Sequence, residues 1–204
     1  SHKGITNIST DDVAVAQELG YVIKLVGDVR EVESGISAEV SPTFLPKNHP
    51  LASVNDVMNA VFVESIGIGE SMYYGPGAGQ KPTATSVLAD IIRIARRLSD
   101  GNVGKPFNEF RRDLPLANPA DVKSNYYFAL DTPDEKGKIL HLSEIFNSED
   151  ISFEQVLQQK ANGTTARIVV ITHAMSKTQL KAVTEKLEAA EDFTVVNTLK
   201  VLSN

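Results

Sequence analysis

The chain has 204 residues, 42% of them hydrophobic, a formal charge of −6 and no cysteine. That length holds one large or two small domains, and an acidic balance without a basic run argues against nucleic acid and anionic membrane surfaces as partners. The lack of cysteine removes disulfides, thiol catalysis and cysteine-ligated metal, and no stretch approaches the roughly 20 apolar residues of a membrane span.

In chain order, Ser9 or Thr10 caps a short helix whose first turn carries Asp11 and Asp12, where the helix dipole favours acids. Val13, Ala16 and Leu19 are its expected buried stripe, and Gly20 ends it. Tyr21–Val29 alternates as a strand, Glu33-Ser34-Gly35 is a turn, and Ile36–Leu45 is the expected antiparallel partner. Pro46 and Pro50 bracket a loop, Leu51–Asn59 reads as a short helix, and Ala60–Ser65 and Glu70–Tyr74 as another strand pair. Ser1-His2 does not read as a native start, no signal peptide is visible, and a cytoplasmic protein is expected.

Tyr73–Leu98 is the most informative stretch: a glycine-rich turn (Gly75, Gly77, Gly79) after a strand, then a helix entered through Pro82. Ala84, Val87, Leu88, Ile91, Ala95 and Leu98 recur at three- and four-residue spacing, Arg93, Arg96 and Arg97 take the other face, and Asp100-Gly101 marks the stop. A G-x-G-x-x-G dinucleotide fingerprint fails at Gln80 and at Pro82, and no second parallel strand follows to carry the usual ribose-binding acid. On spacing alone the glycines are a strand-to-helix turn that needs positive φ or close backbone packing. Lys24 reads as a solvated strand lysine and His49 as a hydrogen-bonded loop residue. His141 and His173 stand singly, and no group at metal-ligand spacing suggests a metal.

The run YGPGAG-x-x-PTAT-x-V-x-x-D-I, with ELGYVIKL at Glu18–Leu25 and SPTFLPKNHPLASVNDVMNAVFVES at Ser41–Ser65 before it, resembles the later part of the substrate-binding domain of homoserine dehydrogenases. The likeness extends over residues 4–100. It implies an enzyme that interconverts L-homoserine and L-aspartate 4-semialdehyde with NADP or NAD. It also implies that Gly77, Ala78 and Gly79 are backbone facing the nicotinamide cofactor. The family's catalytic lysine, substrate-binding acids and Rossmann domain lie on segments with no counterpart here. No catalytic residue is therefore assigned, and the chain is expected to be a C-terminal piece, inactive alone.

Gly101–Ala120 reads as a linker rich in Pro, Gly and Asn, with Arg111-Arg112 solvated. Beyond it Tyr126–Leu130 is a strand, Asp131–Gly137 a loop, and Ile139, Leu142, Ile145 and Phe146 carry helical spacing. Ile151–Gln159 and Ala166–Thr172 are strands about a turn at Ala161–Thr165. Ser176 with Gln179 forms a capping box for a helix bearing Leu180, Val183 and Leu187, and Phe193–Leu202 is the last strand. The order β-α-β-β-α-β is a split βαβ unit, giving an α+β chain with expected divisions at 1–100, 101–121 and 122–204. With D-x-x-x-x-x-G before its first helix, this unit resembles the ACT domain. That resemblance implies an amino-acid effector, by pathway logic L-threonine, and a homodimer or higher oligomer. The implied effector residues are Asp131 or Asp134 for the ammonium, with Gly137 and Ile139 in the loop and at the helix start. Lys136 and Lys138 depart from the usual loop pattern. A purely structural module that binds nothing is the competing reading.

Overall fold

The computed structural model describes residues 2–102, 113–162 and 164–202. Contacts divide the chain into two compact units, Ser1–Lys47 with Leu114–Asn204, and Asn48–Asp113. Residues 103–112 of the expected linker, Arg111-Arg112 included, and Gly163 of the expected turn lie outside the described residues.

In the first unit, helix α1 (Thr10–Glu18) opens on a reciprocal cap: Ser9 Oγ accepts from Asp12 N–H, and the Asp12 carboxylate accepts from Ser9 N–H. Its buried residues are Asp12, Val15 and Ala16. Val13, expected inside, is 42% exposed, because the carboxylate of Asp12 rather than an apolar side chain turns toward the sheet. Strands β1 (Tyr21–Val32) and β2 (Gly35–Pro46) pair antiparallel as expected, joined at Gly35. Gly35 has φ +141°, and a Cβ there would lie 2.1 Å from the Pro115 carbonyl oxygen, so backbone packing demands glycine.

The remainder of the unit runs β5 (Lys123–Pro133), α3 (Lys138–Asn147), β6 (Phe153–Asn162), β7 (Thr165–Thr172), β8 (Met175–Ser176), α4 (Lys177–Ala189) and β9 (Thr194–Val201). Strands β3 (Met58–Ser65) and β4 (Gly69–Pro76) belong to the second unit. The β-α-β-β-α-β order expected of this half is present, with the short β8 added beside β5. The sheet order is β1-β2-β9-β5-β7-β6. Strand β2 runs parallel to β9 through Thr43↔Lys200 and Phe44↔Val201, so the N-terminal hairpin lengthens the sheet of the later half. Pairing between strands so distant in sequence leaves no local signature.

Strand β5 explains the layering. Tyr126, Phe128 and Leu130 face α3 and α4 with Leu142, Phe146, Val183 and Leu187. Tyr127 and Ala129 face the other way, with Val15 and Ala16 of α1 and with Phe44 and Leu199. Alternate residues thus serve two cores, which is why the strand reads as an unbroken apolar run. Phe128 meets Phe146 edge-on at 5.1 Å, and Tyr127 stacks on Phe44 at 4.4 Å.

In the second unit, the segment expected to be a helix over Leu51–Asn59 is only a 3₁₀ turn, Pro50–Ser53, and Met58 already starts a strand. The turn is closed by His49, whose Nδ1 accepts from Leu51 N–H at 3.1 Å. The histidine is therefore a hydrogen-bonded loop residue, and its ring lies edge-on to Phe62 at 5.0 Å. Strands β3 (Met58–Ser65) and β4 (Gly69–Pro76) form a hairpin, followed by α2 (Gln80–Ser99). No residue of α2 is buried.

Candidate effector and cofactor sites

The end of β5 carries Asp131, Thr132 and Pro133 to the rim of the sheet, and Gly137, with φ +90°, turns the chain into α3. Strand β5 outlasts its apolar run, so Asp131 lies in register with Arg167 on β7 instead of in the loop expected from sequence. Arg167 grips it in a bidentate pair, Nε to Oδ1 at 2.8 Å and Nη2 to Oδ2 at 3.0 Å. The same arginine reaches Asp11 of α1 at 3.5 Å. Hydrogen bonding to Asp131 raises the Arg167 pKa further above its ordinary value.

Asp131 thus has its charge partner within the chain. Asp134 makes a backbone bond to the Thr164 carbonyl at 3.0 Å and faces the cleft with its side chain free of ion pairs among the described residues. Gly137 is the N-cap of α3 and offers no side chain to the helix start, whereas α1 and α4 both begin with full capping boxes. The amides of the first turn, Ile139 among them, are the groups such a start leaves open to an anion. Ile139 is 41% exposed there.

Four groups complete the place, of which Thr132 and Asp192 were not singled out from sequence. Lys138 Nζ stands 3.3 Å from Glu135 Oε2 and 3.3 Å from Asp192 Oδ2. His141 Nδ1 meets the same Asp192 oxygen at 2.9 Å, which makes it part of a cluster and not the isolated residue expected. Partial desolvation works against ionisation of Asp192, but the bonds from His141 and Lys138 outweigh it and hold its pKa below the usual carboxylate value. Thr132 is 2% exposed and its hydroxyl has no hydrogen-bond partner among the described residues. Together Asp131–Glu135, Thr164, Thr165, Glu191, Asp192 and Thr194 line a cleft of about 570 Å³. The three-residue spacing of Lys138 and His141 at the start of α3, which puts them on one face, was a visible signal for both. Their partner Asp192 comes from the turn before β9 and had none.

The glycine turn is held by two local constraints. A Cβ on Gly77 would fall 1.6 Å from Asn59 Nδ2, and Gly79 has φ +125° at the N-cap of α2. Gly79 has the positive φ that spacing alone suggested, whereas the close neighbour at Gly77 is the Asn59 side-chain amide and not backbone. Neither bears on a cofactor. Among the described residues no group of three or more His, Cys, Asp or Glu is placed to hold a metal ion, and no helix is long and apolar enough to cross a membrane.

The profile of the homoserine dehydrogenase family matches residues 1–92. Over 204 residues the chain is 59% identical to the homoserine dehydrogenase of Lactococcus lactis, covering all of this chain and 48% of that protein. It is 36% identical to that of Corynebacterium glutamicum, over 97% of this chain and 45% of the relative. Its fold is similar to the crystal structure of a homoserine dehydrogenase from Thiobacillus denitrificans, with a TM-score of 0.89, 30% identity, and coverage of 98% of this chain and 47% of that one. The chain spans about half the length of the relatives it matches.

Proposed function

The chain belongs to the homoserine dehydrogenase family, and from that premise we propose that it is the C-terminal part of an enzyme interconverting L-homoserine and L-aspartate 4-semialdehyde with NADP or NAD. The observation that carries this reading is identity of 59% along the entire chain to one such enzyme. In the proposal, Gly77, Ala78 and Gly79 face the cofactor, residues 101–121 link the substrate-domain part to the later module, and residues 122–204 are an ACT domain. The chain alone is inactive, because the family's catalytic lysine and nucleotide-binding domain belong to its other half. In the intact, oligomeric enzyme the ACT domain takes an amino-acid effector, L-threonine, at the start of α3. The effector carboxylate meets the uncapped amides at Lys138–Ile139, its ammonium meets Asp134 and neighbouring acids, and its hydroxyl meets Thr132.

Calorimetric titration of the chain with L-threonine, with L-serine and L-lysine as controls, tests the effector site. Saturable binding of threonine that is lost in Gly137→Val is expected; absence of heat with all three overturns it. For the cofactor role, Ala78→Asp in the intact enzyme is expected to raise the KM for NADPH at least tenfold and leave that for homoserine within twofold, whereas an unchanged KM for NADPH refutes the assignment. A second reading, an assembly module without ligand, is favoured by one observation: Asp131 is already satisfied by Arg167. Under that reading Asp131→Ala lowers stability and changes no binding isotherm.

A further inference from the structure

Resting on the effector site above, we propose that Lys138 sets its affinity, as a tethered ammonium standing on the acidic pair that an amino-acid ligand would use. The cleft carries five carboxylates, on Asp131, Asp134, Glu135, Glu191 and Asp192. Arg167 occupies Asp131 through both oxygens. Lys138 bridges Glu135 and Asp192. A ligand ammonium entering the cleft is held well only with a carboxylate at about 2.7–2.9 Å. To use Glu135 and Asp192 together it must displace Lys138.

The position of Lys138 in the chain makes it an effective competitor. It is the first residue of α3, directly after the left-handed Gly137, so its backbone is fixed by the helix start. A group tethered this closely acts at an effective concentration in the millimolar range or above. Its two contacts, 3.3 Å each, are longer than an optimal charge-assisted bond. Lys138 is therefore displaceable, a competitor and not a lock. His141 keeps Asp192 in place from the other side at 2.9 Å, so the acid remains positioned when the lysine leaves. Lys136, on the neighbouring loop, makes no ion pair among the described residues, and it supplies the control for charge alone.

The test is calorimetric titration of the full chain with L-threonine, comparing the unaltered protein with Lys138→Met, Lys136→Met and Asp192→Asn. Lys138→Met is expected to bind at least tenfold tighter, Lys136→Met within twofold of the parent, and Asp192→Asn at least fivefold weaker. Raising the salt from 50 to 500 mM separates competition from a packing effect. Salt weakens the lysine contact and the ligand contact together in the parent, leaving its affinity nearly flat, whereas the affinity of Lys138→Met falls. If the parent binds and Lys138→Met binds equally or more weakly, the role of Lys138 is overturned while the effector site stands. If neither binds, the effector site is overturned and the inference with it.

Discussion

Asp12 ties three parts of the first unit together. Only 2% exposed, it caps its own helix through Ser9 and accepts bonds from the Tyr127 hydroxyl on β5 and the Asn197 amide on β9, both at 3.0 Å. Burial opposes its ionisation, but these donors, led by the Ser9 backbone amide, outweigh burial and hold its pKa below the ordinary 3.8. A depressed carboxylate contributes stability that is present above the unfolded-state value and is lost as pH falls through the lower folded-state one. Urea melts are therefore expected to show unfolding free energy falling below about pH 4, with a smaller fall in Asp12→Asn. At neutral pH, Asp12→Ala leaves buried donors without an acceptor and should cost about 2–4 kcal/mol. Asp12 also shows what a sequence conceals at this scale. An acid in a first turn is a surface dipole partner by default, and only the approach of β5 and β9 makes it a buried acceptor. Tyr127 bears the reciprocal mark, its hydroxyl pKa raised first by burial and then by the Asp12 charge.

Among the elements, the three helices of the first unit differ at their starts. Ser176 Oγ accepts from Gln179 N–H at 3.2 Å while Gln179 Oε1 accepts from Ser176 N–H at 2.9 Å, the box expected from sequence. Ser176→Ala should lower stability by about 1 kcal/mol in thermal or urea unfolding. Phe146 of α3, fully buried between Phe128 and Phe153, is worth more: Phe146→Ala should cost about 3–5 kcal/mol by the same measurement. Capping boxes and helical spacing are local, so α1 and α4 were legible in advance. The 3₁₀ turn at Pro50–Ser53 was not, because Leu51–Asn59 mixes apolar and polar residues at a spacing that also suits a turn running into a strand.

For the molecule as a whole, the second unit exposes an apolar surface that its own elements do not cover. Val61, Tyr73, Tyr74, Val87, Leu88, Ile91, Ile94 and Leu98 are each more than half exposed. An amphipathic helix gains its stability chiefly by burying that face. The expected behaviour of the chain alone is concentration-dependent association and binding of an apolar dye. Leu88→Lys with Ile91→Lys should reduce both in sedimentation velocity and fluorescence; a dye-silent monomer at high concentration would contradict the expectation.

The apolar runs of β5 and β7, the capping residues, the glycine turn and the family resemblance are all carried by neighbours in sequence. From these the sequence by itself determined the α+β class, the resemblance to homoserine dehydrogenases and the element order apart from the 3₁₀ turn at Pro50–Ser53 and the short β8. Only the tertiary structure decided that β2 joins β9, that α1 seals the second face of the later sheet, and that Arg167 takes Asp131 while Lys138 takes Glu135 and Asp192. Sheet order and charge pairing depend on which distant segments meet, and the free energy that chooses among such meetings is a property of the packed whole.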